Sequence, residues 1–266
     1  MTPGQQDGQR DGRLAGQQAQ QQSGQQAEGT GSASLAVHRE GATAWLTLRR
    51  PPDNKLDLEL ARALHRALTD ADADPAVRSV VLTGSDDVFC GGADIPAVLR
   101  SGTLHEFADA LVDLFAVFQE LRTPVVAAVN GDALAGGFGL LCSADVAIAV
   151  QGCRIGTIEA QFGTWPVIAQ VAALRRTPFP VLMSNVLTGV PLSAERAAHF
   201  GIVDEVVAPG ALGRRAAALA EAVTAAGDAI AIGRPALYRA LGMPYRDALR
   251  AGADAFTALA EGDTGR

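Results

Sequence analysis

Apolar residues along the chain follow two kinds of spacing that take turns. Thr43-Ala44-Trp45-Leu46-Thr47-Leu48-Arg49 alternates, with Trp45 and Thr47 on one face and Leu46 and Leu48 on the other. That is the period of a strand. Leu35-Ala36-Val37-His38-Arg39 precedes it across Glu40-Gly41-Ala42, so the two runs predict a hairpin. The prolines of Arg50-Pro51-Pro52-Asp53-Asn54 end the second run as a loop. Residues 56–71 change to helical spacing, with Leu60, Ala61, Leu64 and Leu68 on one stripe. A strand follows over 77–83, then a turn at Gly84-Ser85-Asp86-Asp87 and a glycine-bearing loop over 88–95. A helix over 103–121 carries Leu104, Phe107, Leu111, Leu114, Phe115 and Phe118 on one side. A buried strand is expected over 124–129, a buried helix over 140–144 and another strand over 145–150. Segments 154–159 and 163–166 are less regular. Helical patterns return at 167–176, 179–187 and 193–200, a last short strand at 202–207, and Ala-rich helix from Pro209 onward.

This alternation predicts an α/β core over residues 34–208 and a helical C-terminal part over 209–266. Residues 1–33 are Gln- and Gly-rich with almost no apolar content, and are expected to be a disordered tail.

Composition narrows the class. A chain of 266 residues with 48% apolar content supports one full core. A formal net charge of −7 argues against a general nucleic-acid surface. The three cysteines, Cys90, Cys142 and Cys153, form no CxxC pair, which points to a reducing compartment and away from a zinc site. Gly, Pro or charge interrupts every apolar run before it reaches membrane-spanning length, and the N-terminus has no apolar signal region. A cytoplasmic protein that does not bind membranes is expected.

Candidate chemistry sits in two glycine stretches. In Asn130-Gly131-Asp132-Ala133-Leu134-Ala135-Gly136-Gly137-Phe138-Gly139 the glycines lie between a strand and a helix. Without a Cβ they admit a ligand to the backbone, and a helix's first turn offers unpaired N–H groups at the positive end of its dipole. Such a turn suits negative charge, fixed or developing. The same glycines would equally let a helix pack tightly on a sheet. The second stretch is Val88-Phe89-Cys90-Gly91-Gly92-Ala93-Asp94-Ile95. If the strands before the two stretches are neighbours, Gly91-Gly92-Ala93 and Ala135-Gly136-Gly137 lie side by side. Each then offers a backbone N–H to one oxygen, an oxyanion hole built without side chains. No Lys-Ser/Thr follows either stretch, so neither is a Walker A loop, and a GxSxG elbow is absent from the sequence.

These stretches carry a resemblance. Phe89 to Ile95 resembles the F-x-x-G-A-D-L/I segment of the crotonase superfamily, the enoyl-CoA hydratases and isomerases, and Asn130 to Gly137 is similar to that family's second signature. Arg50-Pro51-Pro52-Asp53-Asn54-Lys55-Leu56, the segment from Leu187 to Ala197, and Gly201-Ile202-Val203-Asp204-Glu205-Val206-Val207 match further family segments in the same order. The resemblance implies a spiral of ββα turns with a C-terminal helical part used in trimer contacts, as a homotrimer or dimer of trimers. It implies a coenzyme A thioester as substrate and no separate cofactor. It also implies that the N–H groups of Ala93 and Gly136 stabilise a thioester enolate. Around them, Gly91, Gly92, Asp94, Ile95, Gly137, Phe138, Asn54 and Trp165 would face the acyl-CoA. Lys55 and Arg234 match positions near the coenzyme A phosphates.

Hydratases of this family usually carry two glutamates. One aligns with Glu159, in Ile155-Gly156-Thr157-Ile158-Glu159-Ala160; the other falls on Gly139, which cannot transfer protons. Two carboxylates suit activation of a water, whereas one suffices to carry a proton from one carbon to another. The resemblance therefore implies an acyl-CoA enzyme with double-bond isomerisation slightly ahead of hydration or decarboxylation. A non-catalytic acyl-CoA binder is the alternative of another class. Gly139 is also expected to open room for a bulkier acyl group. Asp94 is expected to cap the following helix, and Cys90 to be a small apolar filler. A further Lys- and Arg-rich helix, usual in the family beyond a segment like Phe256 to Gly262, is expected to be missing.

Overall fold

The computed structural model describes residues 32–262; most of the N-terminal tail lies outside them. Strands β1 (Leu35–Glu40) and β2 (Thr43–Leu48) form the predicted hairpin, and helix α1 (Leu58–Ala73) follows. Asp57 caps α1, accepting the Leu60 N–H at 2.9 Å. The stripe Leu60, Ala61, Leu64 and Leu68 is fully buried. Each of those leucines contributes roughly 1.5–3 kcal/mol by leaving water.

The next three turns of chain repeat one plan. β3 (Ser79–Gly84) is followed by β4 (Val88–Cys90), then α2 (Ile95–Ser101) and α3 (Leu104–Glu120). β5 (Val125–Val129) is followed by β6 (Asp132–Leu134) and α4 (Gly136–Ser143). β7 (Val146–Val150) is followed by β8 (Arg154–Gly156), a 3-10 turn (Glu159–Phe162) and α5 (Ala169–Arg176). Each turn places its first strand in one sheet and its second strand in another, which makes a ββα spiral. α6 (Phe179–Thr188), β9 (Leu192–Ser193), α7 (Ala194–His199) and β10 (Glu205–Val207) close the core. α8 (Leu212–Ala222), α9 (Ala229–Ala240) and α10 (Tyr245–Ala260) complete the described chain.

The larger sheet runs β1-β2-β3-β5-β7-β10, parallel from β2 onward. The smaller runs β4-β6-β8-β9, and its first three strands are parallel. β5 is buried at every residue, as its continuous apolar run predicts. The smaller sheet is the part that hydrophobic spacing did not predict. β4 and β6, read as loop, are strands of three residues, too short to show a period of two. α4 also begins earlier than expected, at Gly136, so the second set of glycines lies inside its first turn.

α9 is fastened to this core by one buried arginine. The Arg234 guanidinium donates to both oxygens of Asp145, at 3.1 and 3.0 Å, and to the carbonyls of Leu121 and Phe118. Its side chain is 6% exposed. The expected place of Arg234 beside coenzyme A phosphates is therefore corrected, because its donors are used inside the fold. Asp145 also accepts the Val125 N–H and the Tyr238 hydroxyl, both at 2.7 Å. Removing the cation would leave that carboxylate without its counter-charge and take one donor from each of two carbonyls. Arg234→Met is expected to cost about 3–5 kcal/mol, read as a lowered midpoint in urea unfolding.

Candidate active site

β4, β6 and β8 are parallel neighbours, so their C-terminal ends lie along one edge of the smaller sheet. Ala93, Gly136 and Glu159 each stand within three residues beyond the end of one of these strands. The edge past the carboxyl ends of parallel strands is where α/β folds bring ligand-binding loops together.

The first two loops touch. A Cβ at Gly92 would stand 2.5 Å from the Ala135 Cβ and 3.3 Å from the Gly136 nitrogen. The Cβ direction of Gly136 in turn meets the Ala93 nitrogen at 3.7 Å. Gly92 has φ +98, a left-handed conformation suited to glycine. Close approach extends into α4, where a Cβ at Gly137 would fall 2.1 Å from the Cys90 carbonyl oxygen. Helix α4 thus starts pressed against β4, and Gly137 serves backbone contact. Phe138, from the same turn, is buried in the core.

The geometry leaves both candidate amides free of the backbone ladder. Leu56 bridges Ala93 in parallel, and that bridge uses the Leu56 N–H to Gly92 O (2.7 Å) and the Asp94 N–H to Leu56 O (2.8 Å). The Ala93 N–H points the other way. Gly136 is the first residue of α4, where an N–H has no intrahelical partner. Ala135 before it adopts φ 52 and ψ −118, a conformation that L-residues rarely take. Such strain costs about 1–3 kcal/mol, and here it orients the Gly136 amide. Two N–H donors at the positive end of a buried helix suit a developing oxyanion.

Arginine and asparagine side chains hold the loops in register. Arg50 pairs with Asp57 at 2.9 Å and with Asp94 at 2.8 Å. Asp94 also caps α2, accepting the Ala97 N–H at 3.1 Å, as expected. The Arg50 hydrogen bond holds the Asp94 carboxyl below the usual aspartate range. Asn130 accepts the Gly84 N–H at 2.8 Å and donates to Asp86 O at 2.8 Å, which ties the α4 loop to the turn before β4. Asn54 is 1% exposed; it accepts the Arg50 N–H and donates to the Ser85 and Val88 carbonyls. The expected substrate contact for the Asn54 side chain is corrected accordingly, because it is a buried loop staple. Lys55 is half-buried and Ile95 exposed beside these loops. Lys55 pairs with Asp53 at 2.9 Å, and its stem lies 3.5 Å from a Cβ direction at Gly91.

Glu159 opens the 3-10 turn after β8. The turn is anchored on the second loop, because the Ala135 N–H donates to Gly156 O at 3.0 Å. Burial raises the Glu159 pKa above the ordinary glutamate value, although the N–H groups of Glu159 and Ile158 oppose it. Its Oε2 accepts the Ile158 N–H at 2.9 Å. A desolvated carboxylate with a raised pKa is suited to accept a proton near neutrality. Cys90 is buried beside this edge and its thiol is pushed up to about 12, consistent with a packing role.

One position on α6 went unnoticed in the sequence. Asn185 is 5% exposed, and its Oδ1 accepts from the Thr157 N–H (2.8 Å) and hydroxyl (3.0 Å). Its Nδ2 donates to Thr157 O at 3.0 Å and Val190 O at 2.9 Å. Three of these bonds fix Thr157, two residues before Glu159, and the fourth ties Asn185 to Val190. A lone asparagine within Met183-Ser184-Asn185-Val186 gives no periodic or motif signal, so only the contact reveals it. Asn185→Ala is expected to lower kcat by about ten- to a hundredfold through misplacement of Glu159. It should also move the acidic limb of the pH profile toward the ordinary glutamate range. Loss of thermal stability without that shift would reduce Asn185 to a packing residue.

Gly139 does not open room for an acyl group. A Cβ there would meet the Phe115 ring at 2.9 Å and the Ala169 Cβ at 3.2 Å. The room expected at this position is filled by a phenyl ring from α3. Trp165 lies past the 3-10 turn, 42% exposed, with its Nε1 donating to Gln170 at 2.8 Å. Among the described residues, no group of three or more His, Cys, Asp and Glu side chains is arranged to hold a metal ion. Among the described residues, no helix is long and apolar enough to cross a membrane.

Comparison with known proteins agrees with this architecture. Residues 38–264 match the family model described as enoyl-CoA hydratase/isomerase. The chain is 31% identical over 198 residues to enoyl-CoA hydratase EchA19 of Mycobacterium tuberculosis, covering 72% of this chain and 74% of that protein. It is also 31% identical to a carnitinyl-CoA dehydratase of Salmonella typhi, covering 82% and 85% of the two chains. A crystal structure of an enoyl-CoA hydratase of Mycobacterium smegmatis superposes with a TM-score of 0.82 at 28% identity, covering 88% of this chain and 93% of that one.

Proposed function

The chain belongs to the enoyl-CoA hydratase/isomerase family of the crotonase superfamily, and on that premise we propose that it moves a double bond within an enoyl-CoA thioester. The observation that carries this reading is the Phe115 ring packed on Gly139. It puts hydrocarbon where a second carboxylate would stand, so Glu159 is the acid–base group of this edge. In the proposed reaction the Glu159 carboxylate takes a proton from C2 of a 3-enoyl-CoA. The C2–H electron pair moves toward the carbonyl, and the charge on the thioester oxygen is met by the N–H groups of Ala93 and Gly136. The electrons then return through the conjugated system, the double bond forms between C2 and C3, and C4 takes the proton back from Glu159. Atoms and charge balance without water or a separate cofactor. The oxyanion contacts strengthen as the enolate forms, which is the differential binding a catalyst needs.

Gly91, Gly92 and Trp165 border the acyl-CoA in this reading, with Lys55 toward the phosphates. Hydration by Glu159 alone is the second reading, favoured by the hydratase names of the relatives. The test is mass spectrometry in heavy-oxygen water with 3-enoyl-CoA and 2-enoyl-CoA. Bond migration without oxygen incorporation supports the proposal; incorporation into a 3-hydroxyacyl product replaces it with hydration. In the cell we place the enzyme in the cytoplasm as a homotrimer. The exposed apolar residues of α10, Leu249, Phe256 and Leu259, support assembly, and sedimentation at a trimer mass checks it.

A further inference from the structure

Beside the catalytic edge lies an apolar cavity of about 490 Å³ between α3, α5 and α9. Its walls include Val112, Ala116, Ile168, Val171 and Tyr238. Val112 and Val171 are more than half exposed, an unusual state for two valines on facing helices. Phe115 lines this cavity and also touches α4, the helix whose first turn carries the Gly136 amide. One edge of its ring packs on Gly139, three residues along α4 from the Gly136 amide, and the same side chain lines the cavity. The ring therefore stands as a partition between the thioester site and a ready apolar compartment. A helix residue placed this way is removable in principle, because the cavity already exists behind it.

We propose that Phe115 is the specificity-determining residue of this enzyme: its ring limits wild type to short acyl chains, and the cavity it screens accepts an unbranched aliphatic tail once the ring is withdrawn. This rests on the acyl-thioester reading above and adds the residue that sets chain length. Continuity through Phe115 identifies the occupant as the tail of the site's own substrate. The chemistry of the walls agrees, being hydrocarbon apart from Tyr238, Arg239, Gln119 and Glu120.

The experiment compares wild type, Phe115→Leu and Phe115→Ala on a series of 3-enoyl-CoA thioesters from butenoyl to dodecenoyl. Calorimetric binding of butyryl-CoA and dodecanoyl-CoA is measured in parallel. Each methylene newly accommodated is worth about tenfold or more in selectivity. The long-to-short ratio of kcat/KM is therefore expected to rise by at least about tenfold in Phe115→Ala, with Phe115→Leu between. Adding Val171→Phe, which narrows the cavity, should return the ratio toward wild type. If Phe115→Ala unfolds, the leucine variant with and without Val171→Phe carries the test. Short thioesters processed with an unchanged ratio would overturn the role of Phe115 and leave the enzyme assignment standing. Wild type processing dodecenoyl-CoA as well as butenoyl-CoA would overturn it too. An unchanged ratio with loss of the oligomer in Val171→Phe would give the cavity to a second copy of the chain. Absence of both turnover and binding for every thioester would defeat the acyl-CoA reading itself and this proposal with it.

Discussion

Glu159→Gln is expected to lower turnover by about a thousandfold while making the fold more stable near neutral pH. The activity loss follows from removing the proton carrier, since a positioned acid–base group contributes roughly 10²- to 10⁴-fold. The gain in stability follows from burial. Desolvation raises the Glu159 pKa in the folded protein, so the folded state prefers the protonated form. Its favourable contribution is complete below the unfolded pKa and is lost as pH rises through the folded one. Near neutrality the wild type therefore holds an ionised carboxylate at a cost, whereas glutamine is neutral and keeps an acceptor for the Ile158 N–H. The urea midpoint of the variant should exceed wild type near neutrality, and the difference should vanish below about pH 4. The acidic limb of wild-type kcat/KM should lie above the ordinary glutamate range for the same reason. Equal stability at neutral pH, or retained turnover, would remove Glu159 from the assigned role.

Gly92→Ala should strike the other half of the site. Its Cβ would meet the Ala135 Cβ at 2.5 Å in a backbone of φ +98, and the steric conflict is relieved by spreading the two loops. Spreading separates the Ala93 and Gly136 amides, and losing one oxyanion donor costs about 3 kcal/mol of barrier, or a hundred- to thousandfold in rate. The fold should lose about 2 kcal/mol or more from overpacking and backbone strain. Ala135→Gly removes the shortest of these contacts, so Gly92→Ala with Ala135→Gly should recover part of both losses. The remaining deficit comes from the positive φ and from the 3.3 Å approaches to Gly136 N and Leu134 O. Kinetics on the two single variants and the pair, with thermal melts of each, form a double-mutant cycle. Additive losses across the pair would show that the two loops do not act as a unit.

Some of this was legible in residue order. The hairpin, α1, α3, β5 and β7 follow from spacing alone, because each buries one face or is buried outright. Glycine placement indicated two backbone approaches, and the family resemblance singled out Glu159 within Ile155 to Ala160. Short strands such as β4 and β6 left no period to read. They appear because parallel pairing across Val88↔Asp132 and Cys90↔Ala133 joins residues more than forty positions apart.

What the sequence determined, with the resemblance it carries, is the inventory: two glycine stretches, a glutamate at 159, and a glycine at 139 where the family usually has a second carboxylate. These are identities, and no fold is needed to read them. What only the tertiary structure decided is which partners those residues have. Arg234 and Asn54 are polar and look available to a ligand in sequence, yet both are buried with their hydrogen bonds satisfied by carbonyls and carboxylates from distant segments. Gly139 reads as empty space, but space belongs to neighbours, and Phe115 on another helix fills it. Composition and spacing report what a residue can do; packing determines what is left for it to do.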